Sequence, residues 1–479
     1  MQNDISYSAQ SARHARKNNT QDVKAPGKQR ADMPFWVLLT FLTAILLMGG
    51  SSRGDITSLV ILRPIGFAAL AYGLIVGTRD VFAPFKVLLG LLLCLAAVIS
   101  LQLVPLPPSI WTQLPTREIY SQIYVQAGIP LPWMGLAISP AGALNSLFSL
   151  VIPAAVIILF SLLAEARQDR LYTVIWIGTI ASTLFGMLQL LGPENGWMYF
   201  YRISNFGMPV GFFANRNHQG LFVAIGILLS AYLAAKAIMG RRTSPLLMTA
   251  AAGAILLFLP FLLVNGSRAG LVLGAAMFVP SAYMIHRALN ERSNQKGSAL
   301  RKKRWVPWVI LGGSAAIVAV LAAALTMSRS LALDRLIGKE IEADLRSSLL
   351  PYILDMAKTY LPFGSGFGSF VPAYKQIEPI ELLQPSYINH AHNDWLEFIV
   401  EGGVPAAIIL AGFIGWFCHA VFRRFFARGR DFDMEGFVGS VIILACGAAS
   451  LADYPLRTPI MMAVISVACC HLARDRSRI

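Results

Sequence analysis

The chain has 479 residues, of which 56% are hydrophobic and 14% are charged, and its formal net charge is +15. Soluble globular domains carry roughly a quarter of charged residues, so this composition excludes a soluble domain and predicts a membrane protein with many spans. The basic residues lie in short segments between apolar stretches, so we expect no nucleic-acid partner. All five cysteines lie in or beside apolar stretches, which argues against disulfides and against a cysteine metal site.

The N-terminal segment, residues 1–33, is polar and rich in Gln, Asn, Ser and Lys. It lacks the short apolar core of a signal peptide, and its composition is typical of disorder. We therefore predict a disordered cytoplasmic tail, followed by a first span that is retained.

Twelve apolar stretches follow, and each approaches the length of about 20 residues that a membrane-spanning helix needs. We predict an all-α polytopic membrane protein with about twelve transmembrane helices. Spans one to nine occupy residues 34–327, and spans ten to twelve with a short cytoplasmic tail occupy residues 396–479. The predicted spans are 34–50, 59–77, 87–104, 144–164, 171–191, 219–235, 246–264, 270–286, 306–327, 396–421, 436–452 and 458–473.

Most Lys and Arg residues fall in alternate segments between these spans, which is the positive-inside bias that sets the orientation of a membrane protein. Both termini are therefore expected in the cytoplasm. A large outer loop, residues 328–395, then separates spans nine and ten. This loop is the longest polar segment after the N-terminal tail, so we expect it to carry active-site residues.

The first polar motif in chain order is Gly211–Gly220, with the sequence GFFANRNHQG, at the outer mouth of the sixth span. It places Arg216, Asn217 and His218 in succession. One interpretation is a snorkelling arginine beside helix-capping asparagines. The number of adjacent hydrogen-bonding side chains exceeds what a cap requires, which favours substrate binding.

The second motif is Asn265–Arg268, between the seventh and eighth spans. Its Gly-Ser pair permits a tight turn and leaves Arg268 near the outer interface. An ionisable residue at that depth is costly unless it faces the bundle interior or a polar cavity, which indicates function. The alternative is an interfacial arginine that binds lipid head groups.

The third motif begins at Arg346 and ends in a glycine-rich turn. Apolar residues recur at helical spacing between Arg346 and Pro362, which predicts an interfacial helix on the membrane. Gly364, Gly366 and Gly368 could form a backbone anion nest. The glycines do not follow a strand and open a helix, so we reject a dinucleotide-binding turn.

The fourth motif packs two His, two Asn, one Asp and one Glu into residues 389–397. Asn393, Glu397 and Glu401 share a helical face if the tenth span begins near His392. His390 and His392 with the following Asp resemble a zinc pattern. The metallohydrolase version adds another His after the Asp, where this chain has Trp, so we predict no metal site. A zinc site and a purely structural His pair are the alternatives.

Together these four motifs, in this order and on one side of the membrane, resemble the O-antigen ligase and Wzy-type polysaccharide polymerase superfamily. The resemblance extends from about Ser182 to Pro405 and is marked by GFFANRNHQG, NGSRAG and HAHNDWLEFIVEGGVP. The Leu349-Leu350-Pro351 run departs from relatives, which often have an aromatic residue there.

The resemblance implies a metal-independent glycosyltransferase without a cofactor in the bacterial inner membrane. Such an enzyme takes a glycan from undecaprenyl diphosphate at the periplasmic face and passes it to an acceptor hydroxyl. The acceptor is a second glycan, lipid A core or a protein, and the sequence leaves this choice open. Membrane lipid is a partner in each case, and proteins that assemble and export polysaccharides are compatible partners.

The residue chemistry agrees with that function. The planar guanidinium of arginine can donate two hydrogen bonds to the phosphates of a lipid diphosphate. We therefore expect Arg216, Arg268 and Arg346 to bind the donor. Histidine suits a general base near neutral pH, so we expect His392, then His390, to be catalytic. The remaining predicted substrate contacts are Asn217, His218, Asn393 and Glu397.

Two other classes of protein are alternatives. A transporter or flippase of lipid-linked glycans would also be polytopic and basic, but transporters usually carry ionisable residues near the bilayer midplane. Here the polar motifs cluster at the outer side. A scaffold without enzymatic activity would need no convergent set of Arg and His residues.

Overall fold

The computed structural model describes residues 27–240, 244–295, 341–383, 387–426 and 432–474. Within these ranges the protein is helical throughout and contains no strand; a single isolated β-bridge joins Leu106 and Met134. The prediction of an all-α protein is therefore confirmed. The predicted ninth span, residues 306–327, lies outside the described residues, as does most of the predicted N-terminal tail.

The described part of the first half of the chain forms nine helices. One 3₁₀ turn over Ala83–Phe85 joins α3 to α4, and α5 and α6 are two short helices between α4 and α7. The helices are α1 Gly27–Met48, α2 Leu59–Val76, α3 Arg79–Phe82, α4 Lys86–Gln102, α5 Pro108–Trp111, α6 Glu118–Gln126, α7 Pro140–Ser149, α8 Val151–Ser161 and α9 Glu165–Gln189.

The second half contributes nine more described helices and two further 3₁₀ turns, at Ile380–Leu382 and Pro455–Arg457. The helices are α10 Arg216–Met239, α11 Pro245–Asn265, α12 Arg268–Ala276, α13 Phe278–Gln295, α14 Ile341–Tyr360, α15 Phe370–Tyr374, α16 Asp394–Phe425, α17 Met434–Ala449 and α18 Pro459–Ala473.

Eight helical segments in the described part of the chain are long and apolar enough to cross a membrane, and three shorter apolar helices accompany them. Each predicted span that falls within the described residues coincides with one of these segments. Several boundaries differ: α1 begins at Gly27, inside the segment predicted as tail, and the eighth span is built from α12 and α13. The protein is thus a polytopic helical membrane protein, and the total of twelve spans stays a prediction.

Helix α10 is the centre of the bundle and is buried along nearly its whole length, because it is predominantly apolar on every face between its first and last turns. It packs against α9, α11, α12, α13 and α17. Small residues allow the closest approach: a Cβ built on Gly220 would lie 3.0 Å from the Cα of Gly270 in α12. This contact places the N-terminal residues of α10 beside the turn between α11 and α12.

That turn follows the predicted pattern. Gly266 ends α11 in the left-handed region with φ of 68°, a conformation that glycine adopts without strain. Ser267 then caps α12 by accepting a hydrogen bond of 3.0 Å from the Gly270 amide.

Helix α14 corresponds to the helix that we predicted on the membrane surface. Its residues Leu349, Ile353, Met356 and Tyr360 are buried in a satellite core with α15. The same helix exposes other apolar side chains, such as Leu350, which is 43% exposed. The helix itself was therefore predicted from its periodicity, but its main apolar face packs on protein.

Helix α16 is interrupted at Gly403, which has φ of 59° and ψ of −149°. The backbone of the preceding glycine-rich turn crosses the helix at this point, and the Val404 amide donates to the Pro362 carbonyl at 2.8 Å. A Cβ on Gly403 would come within 2.2 Å of that carbonyl oxygen. The break therefore separates a short polar N-terminal part of α16 from the apolar remainder.

Candidate active site

The start of α16 is set by Asn393, whose side-chain oxygen accepts a hydrogen bond of 3.1 Å from the Leu396 amide. Just before it, His392 adopts a positive φ of 51°, which is uncommon for a residue with a side chain and often marks a functional site. This cap and bend bring His390 and His392 beside the first turns of the helix.

His390 is held by a buried carboxylate. Its Nδ1 lies 2.8 Å from Glu397 Oε1, and the Ala391 amide donates to Glu397 Oε2 at 2.7 Å. Because an ionised carboxylate only accepts hydrogen bonds, Nδ1 donates to Glu397, and Nε2 is left for a partner on the other side of the ring. Glu397 is fully buried, so its position supports a role in orienting His390 more than the predicted direct contact with substrate.

Arg457 is the site residue that our sequence reasoning missed. Its guanidinium lies 3.0 Å from Asp394 Oδ1, 3.2 Å from Glu397 Oε1 and 3.2 Å from Glu401 Oε2. Burial alone would lower the pKa of Arg457, but the three carboxylates outweigh burial and raise it. One signal was available: three acidic residues on one face of a buried helix need a cation, and the segment before the last span supplies one.

The glycine-rich turn packs against Glu401, and this contact accounts for its backbone conformation. Gly364, Gly366 and Gly368 all have positive φ, and the Phe370 amide donates to Glu401 Oε1 at 3.1 Å. The amides of residues 364–367 also bond within the protein, for example Gly366 N to the Glu401 carbonyl at 2.9 Å. The suggested nest for a substrate anion is therefore corrected: the turn binds the chain's own glutamate.

Asp453 joins the GFFANRNHQG motif to the histidines. Its Oδ2 accepts hydrogen bonds from Asn215 at 3.2 Å and Asn217 at 2.7 Å. Its Oδ1 lies 3.5 Å from His392 Nδ1 and 3.9 Å from His218 Nε2. Two motifs far apart in the sequence thus meet at one buried carboxylate.

Tyr454 completes this centre. Its ring centroid lies 4.3 Å from that of His390, 5.1 Å from that of His392 and 5.2 Å from that of His218. Sequence reasoning missed both Asp453 and Tyr454, because a lone Asp-Tyr pair in a short loop carries no recognisable spacing.

The predicted donor-binding arginines lie on the neighbouring elements. Arg216 is 9% exposed, and its Nη1 would be 3.8 Å from a Cβ on Gly266. Arg268 begins α12 and is exposed. Ser267 donates to Asn217 Oδ1 at 2.8 Å, which links this turn to the start of α10. Arg346 belongs to α14, but its side chain lies outside the part of the chain that the structure describes.

The zinc alternative requires His390, His392 and Asp394 to converge. Instead, His390 faces Glu397, His392 faces Asp453, and Asp394 accepts a hydrogen bond of 3.0 Å from Arg457. Within the described ranges, no group of three or more His, Cys, Asp or Glu side chains could hold a metal ion.

These observations define a class: a helical membrane protein with a buried Arg-carboxylate cluster and a pair of oriented histidines at one end of its bundle. Residues 253–411 match the family model described as O-antigen ligase. The resemblance to the O-antigen ligase and Wzy superfamily is thereby confirmed over about a third of the chain, and the match supports, in general terms, a bacterial membrane protein of the glycan ligase or polymerase type. A search of curated proteins found no match.

The matched segment contains Arg268, both histidines and the two glutamates of α16, but it ends before Asp453 and begins after Arg216. The site that the structure assembles thus extends beyond the matched residues on both sides.

Proposed function

We propose that the protein is a metal-independent glycosyltransferase of the inner membrane. It transfers or polymerises a glycan from an undecaprenyl-diphosphate donor onto an acceptor hydroxyl at the periplasmic face. The observation that carries this proposal is the meeting of His390, His392 and the Asn215–His218 segment around Asp453 and Tyr454.

Donor binding is assigned to the arginines at the starts of α10 and α12. A guanidinium offers several N–H groups in a plane and stays charged, so it can bind two phosphate oxygens at once. Arg216 and Arg268 lie on elements that are joined by the Ser267–Asn217 hydrogen bond of 2.8 Å. Arg346 is proposed as a third donor contact.

His392 is proposed as the general base. Its side chain is 25% exposed, compared with 13% for His390, and Asp453 lies on its Nδ1 side. Nε2 can therefore take the proton of an acceptor hydroxyl. The acceptor oxygen then bonds to the anomeric carbon, and the bond from that carbon to the diphosphate oxygen breaks. The diphosphate leaves with the electron pair, and the arginines stabilise its charge.

His390 is the second candidate base. Its hydrogen bond to Glu397 fixes the ring more firmly than His392 is fixed, because 2.8 Å is a hydrogen-bond distance and 3.5 Å is long for one. In the proposed mechanism His390 orients the acceptor beside Tyr454, and it becomes the base if His392 proves dispensable.

Reconstitution tests the proposal. Purified protein in liposomes is given undecaprenyl-diphosphate-linked glycan and, separately, lipid A core, lipid-linked glycan or acceptor protein, and covalent products are identified by mass spectrometry. Transfer to one acceptor is expected, with full activity in EDTA. Movement of the donor across the bilayer without a covalent product would instead establish the flippase alternative.

A further inference from the structure

The last residue of α9, Gln189, holds the segment that leads into α10. Its side chain is buried, and the residue is 2% exposed. Its Oε1 accepts hydrogen bonds from the Val210 amide at 3.0 Å and the Gly211 amide at 2.9 Å. Its Nε2 donates to the Met198 carbonyl at 3.0 Å and the Gly211 carbonyl at 3.1 Å. A glutamine amide has two donors and two acceptor sites, so Gln189 uses its full hydrogen-bonding capacity on this segment.

Two other buried side chains hold the same segment. Ser182, also on α9, accepts a hydrogen bond of 3.0 Å from the Phe212 amide. Asn265, at the end of α11, donates to the Pro209 carbonyl at 2.9 Å. Residues 209–212 form no helix, and each is bonded to a side chain of a neighbouring helix. The path of this segment therefore depends on these side chains, because backbone groups that lack a helical partner must bond elsewhere.

The close approach of the segment to α9 requires glycine at position 211. Gly211 has a positive φ of 58°, and a Cβ there would lie 2.5 Å from the Ser182 carbonyl oxygen and 2.7 Å from Gln219 Oε1. Gly211 is also the first residue of the GFFANRNHQG motif. The motif is thus fixed to α9 at its first residue.

The same loop is bonded to the start of α10. The Arg216 amide donates to Asn205 Oδ1 at 2.9 Å, and the Asn205 amide donates to the Ala214 carbonyl at 2.9 Å. Asn205 lies between the two residues whose carbonyls accept hydrogen bonds from Gln189. The position of this loop therefore sets the position of the Arg216 backbone, and with it the region that the guanidinium can reach.

We infer that Gln189 is a positioning residue that places Arg216 for the diphosphate of the lipid-linked donor. This inference rests on the proposed function, in which Arg216 binds that diphosphate. Paired hydrogen bonds from a guanidinium to phosphate oxygens need short distances and nearly linear angles. A displaced start of α10 therefore weakens donor binding, although no residue that contacts the donor has changed.

The test is the binding of undecaprenyl diphosphate to the purified protein in detergent, titrated by native mass spectrometry. Gln189→Met keeps the length of the side chain and removes the four hydrogen bonds. The Kd should rise about tenfold, the order expected for one weakened charge-assisted hydrogen bond. A smaller folded fraction would reduce the number of binding sites and leave the Kd unchanged. Gln113→Met is the control, because the exposed Gln113 side chain bonds only locally, to the Ser109 carbonyl at 2.7 Å.

A double variant tests whether Gln189 acts through Arg216. If it does, Gln189→Met should raise the Kd of the Arg216→Ala protein little, so that the two effects are far from additive. Additive effects would overturn the positioning role. A wild-type Kd for Gln189→Met, alongside weak binding by Arg216→Ala, would also overturn it and would leave the proposed function in place.

Equal Kd values for the wild type and Arg216→Ala would remove Arg216 from the donor site, and this inference would fail together with that part of the proposed function. If Gln189→Met does not fold, Gln189→Glu decides. This variant keeps the acceptor for the Val210 and Gly211 amides and loses the donors to the two carbonyls, so its Kd should lie between those of the wild type and Arg216→Ala. A wild-type Kd for Gln189→Glu would then refute the inference.

Discussion

Arg457 is expected to stabilise the folded protein by pairing with three buried carboxylates, and a substitution can measure this contribution. It is the cation among Asp394, Glu397 and Glu401 at distances of 3.0 to 3.2 Å. Removing one partner of a buried ion pair typically costs about 3–5 kcal/mol, because the remaining charges stay buried without compensation. Arg457→Ala should therefore lower the thermal stability of the purified protein strongly.

The Arg457→Lys variant tests whether the positive charge alone is sufficient or whether the planar shape of the guanidinium is also needed. Arg457→Lys keeps the charge, but one ammonium cannot reach three carboxylates in the way that a planar fork does. We expect it to fold with reduced Tm and to transfer glycan slowly. Arg202→Ala is the matched control, because the Arg202 side chain is 86% exposed. An Arg457→Lys enzyme with normal Tm and rate would show that the three contacts are not needed.

His392→Ala tests the proposed base. Loss of a positioned general base typically costs about 10²- to 10⁴-fold in rate, so glycan transfer should fall by that amount while donor binding is retained. His419→Ala, in the exposed distal part of α16, serves as the control. If His392→Ala retains activity and His390→Ala does not, the two roles must be exchanged.

Glu397 and His390 should act as a unit, since one atom pair at 2.8 Å joins them. The rate losses caused by Glu397→Gln and by His390→Ala should then be far from additive in the double variant, because Glu397 acts on transfer through the histidine ring. The measurement is kcat of the four enzymes at matched expression. Fully additive losses would indicate that Glu397 contributes mainly to stability through Arg457.

Among the elements, α10 and α12 depend on the absence of side chains where they touch. A Cβ on Gly270 would lie 2.8 Å from the Cα of Gly220, a distance that real contacts essentially never show. Gly270→Val should force the two helices apart and displace Arg216 from the turn. We expect reduced Tm and weaker donor binding. Gly253→Val in α11 is the control, because a Cβ there meets nothing within 4 Å.

The elements also show what sequence reasoning could reach. Apolar runs located the helices, because a span must satisfy its backbone internally and so needs an unbroken apolar length. The turn at Gly266 followed from local residue preferences. Arg457, Asp453 and Tyr454 could not be found in this way, since their importance comes from packing between distant segments. The anion nest failed for the same reason: its anion, Glu401, comes from another helix.

At the scale of the whole molecule, the charge pattern predicts which end faces which compartment. Gln376 lies beside α6, with its side-chain nitrogen 3.3 Å from Tyr120 Oη, while Arg424 lies at the far end of α16 and donates to Asp433 at 2.6 Å. Single-cysteine labelling with an impermeant reagent in intact cells should modify position 376 and spare position 424, in a background without the native exposed cysteines. Labelling of position 424 alone would invert the topology and move the proposed site to the cytoplasm.

The break at Gly403 divides α16 into two segments, a polar part and an apolar part. The polar part carries Glu397 and Glu401, and its Val400 and Glu401 carbonyls accept hydrogen bonds from the Ser365 and Gly366 amides. The apolar part begins at Val404 and continues to Phe425. If α16 were an unbroken helix, any change in its tilt would also move the carboxylates near its N-terminus. Because the helical hydrogen bonds are interrupted at Gly403, we expect the apolar part to change its tilt with the thickness of the bilayer while the histidines keep their positions.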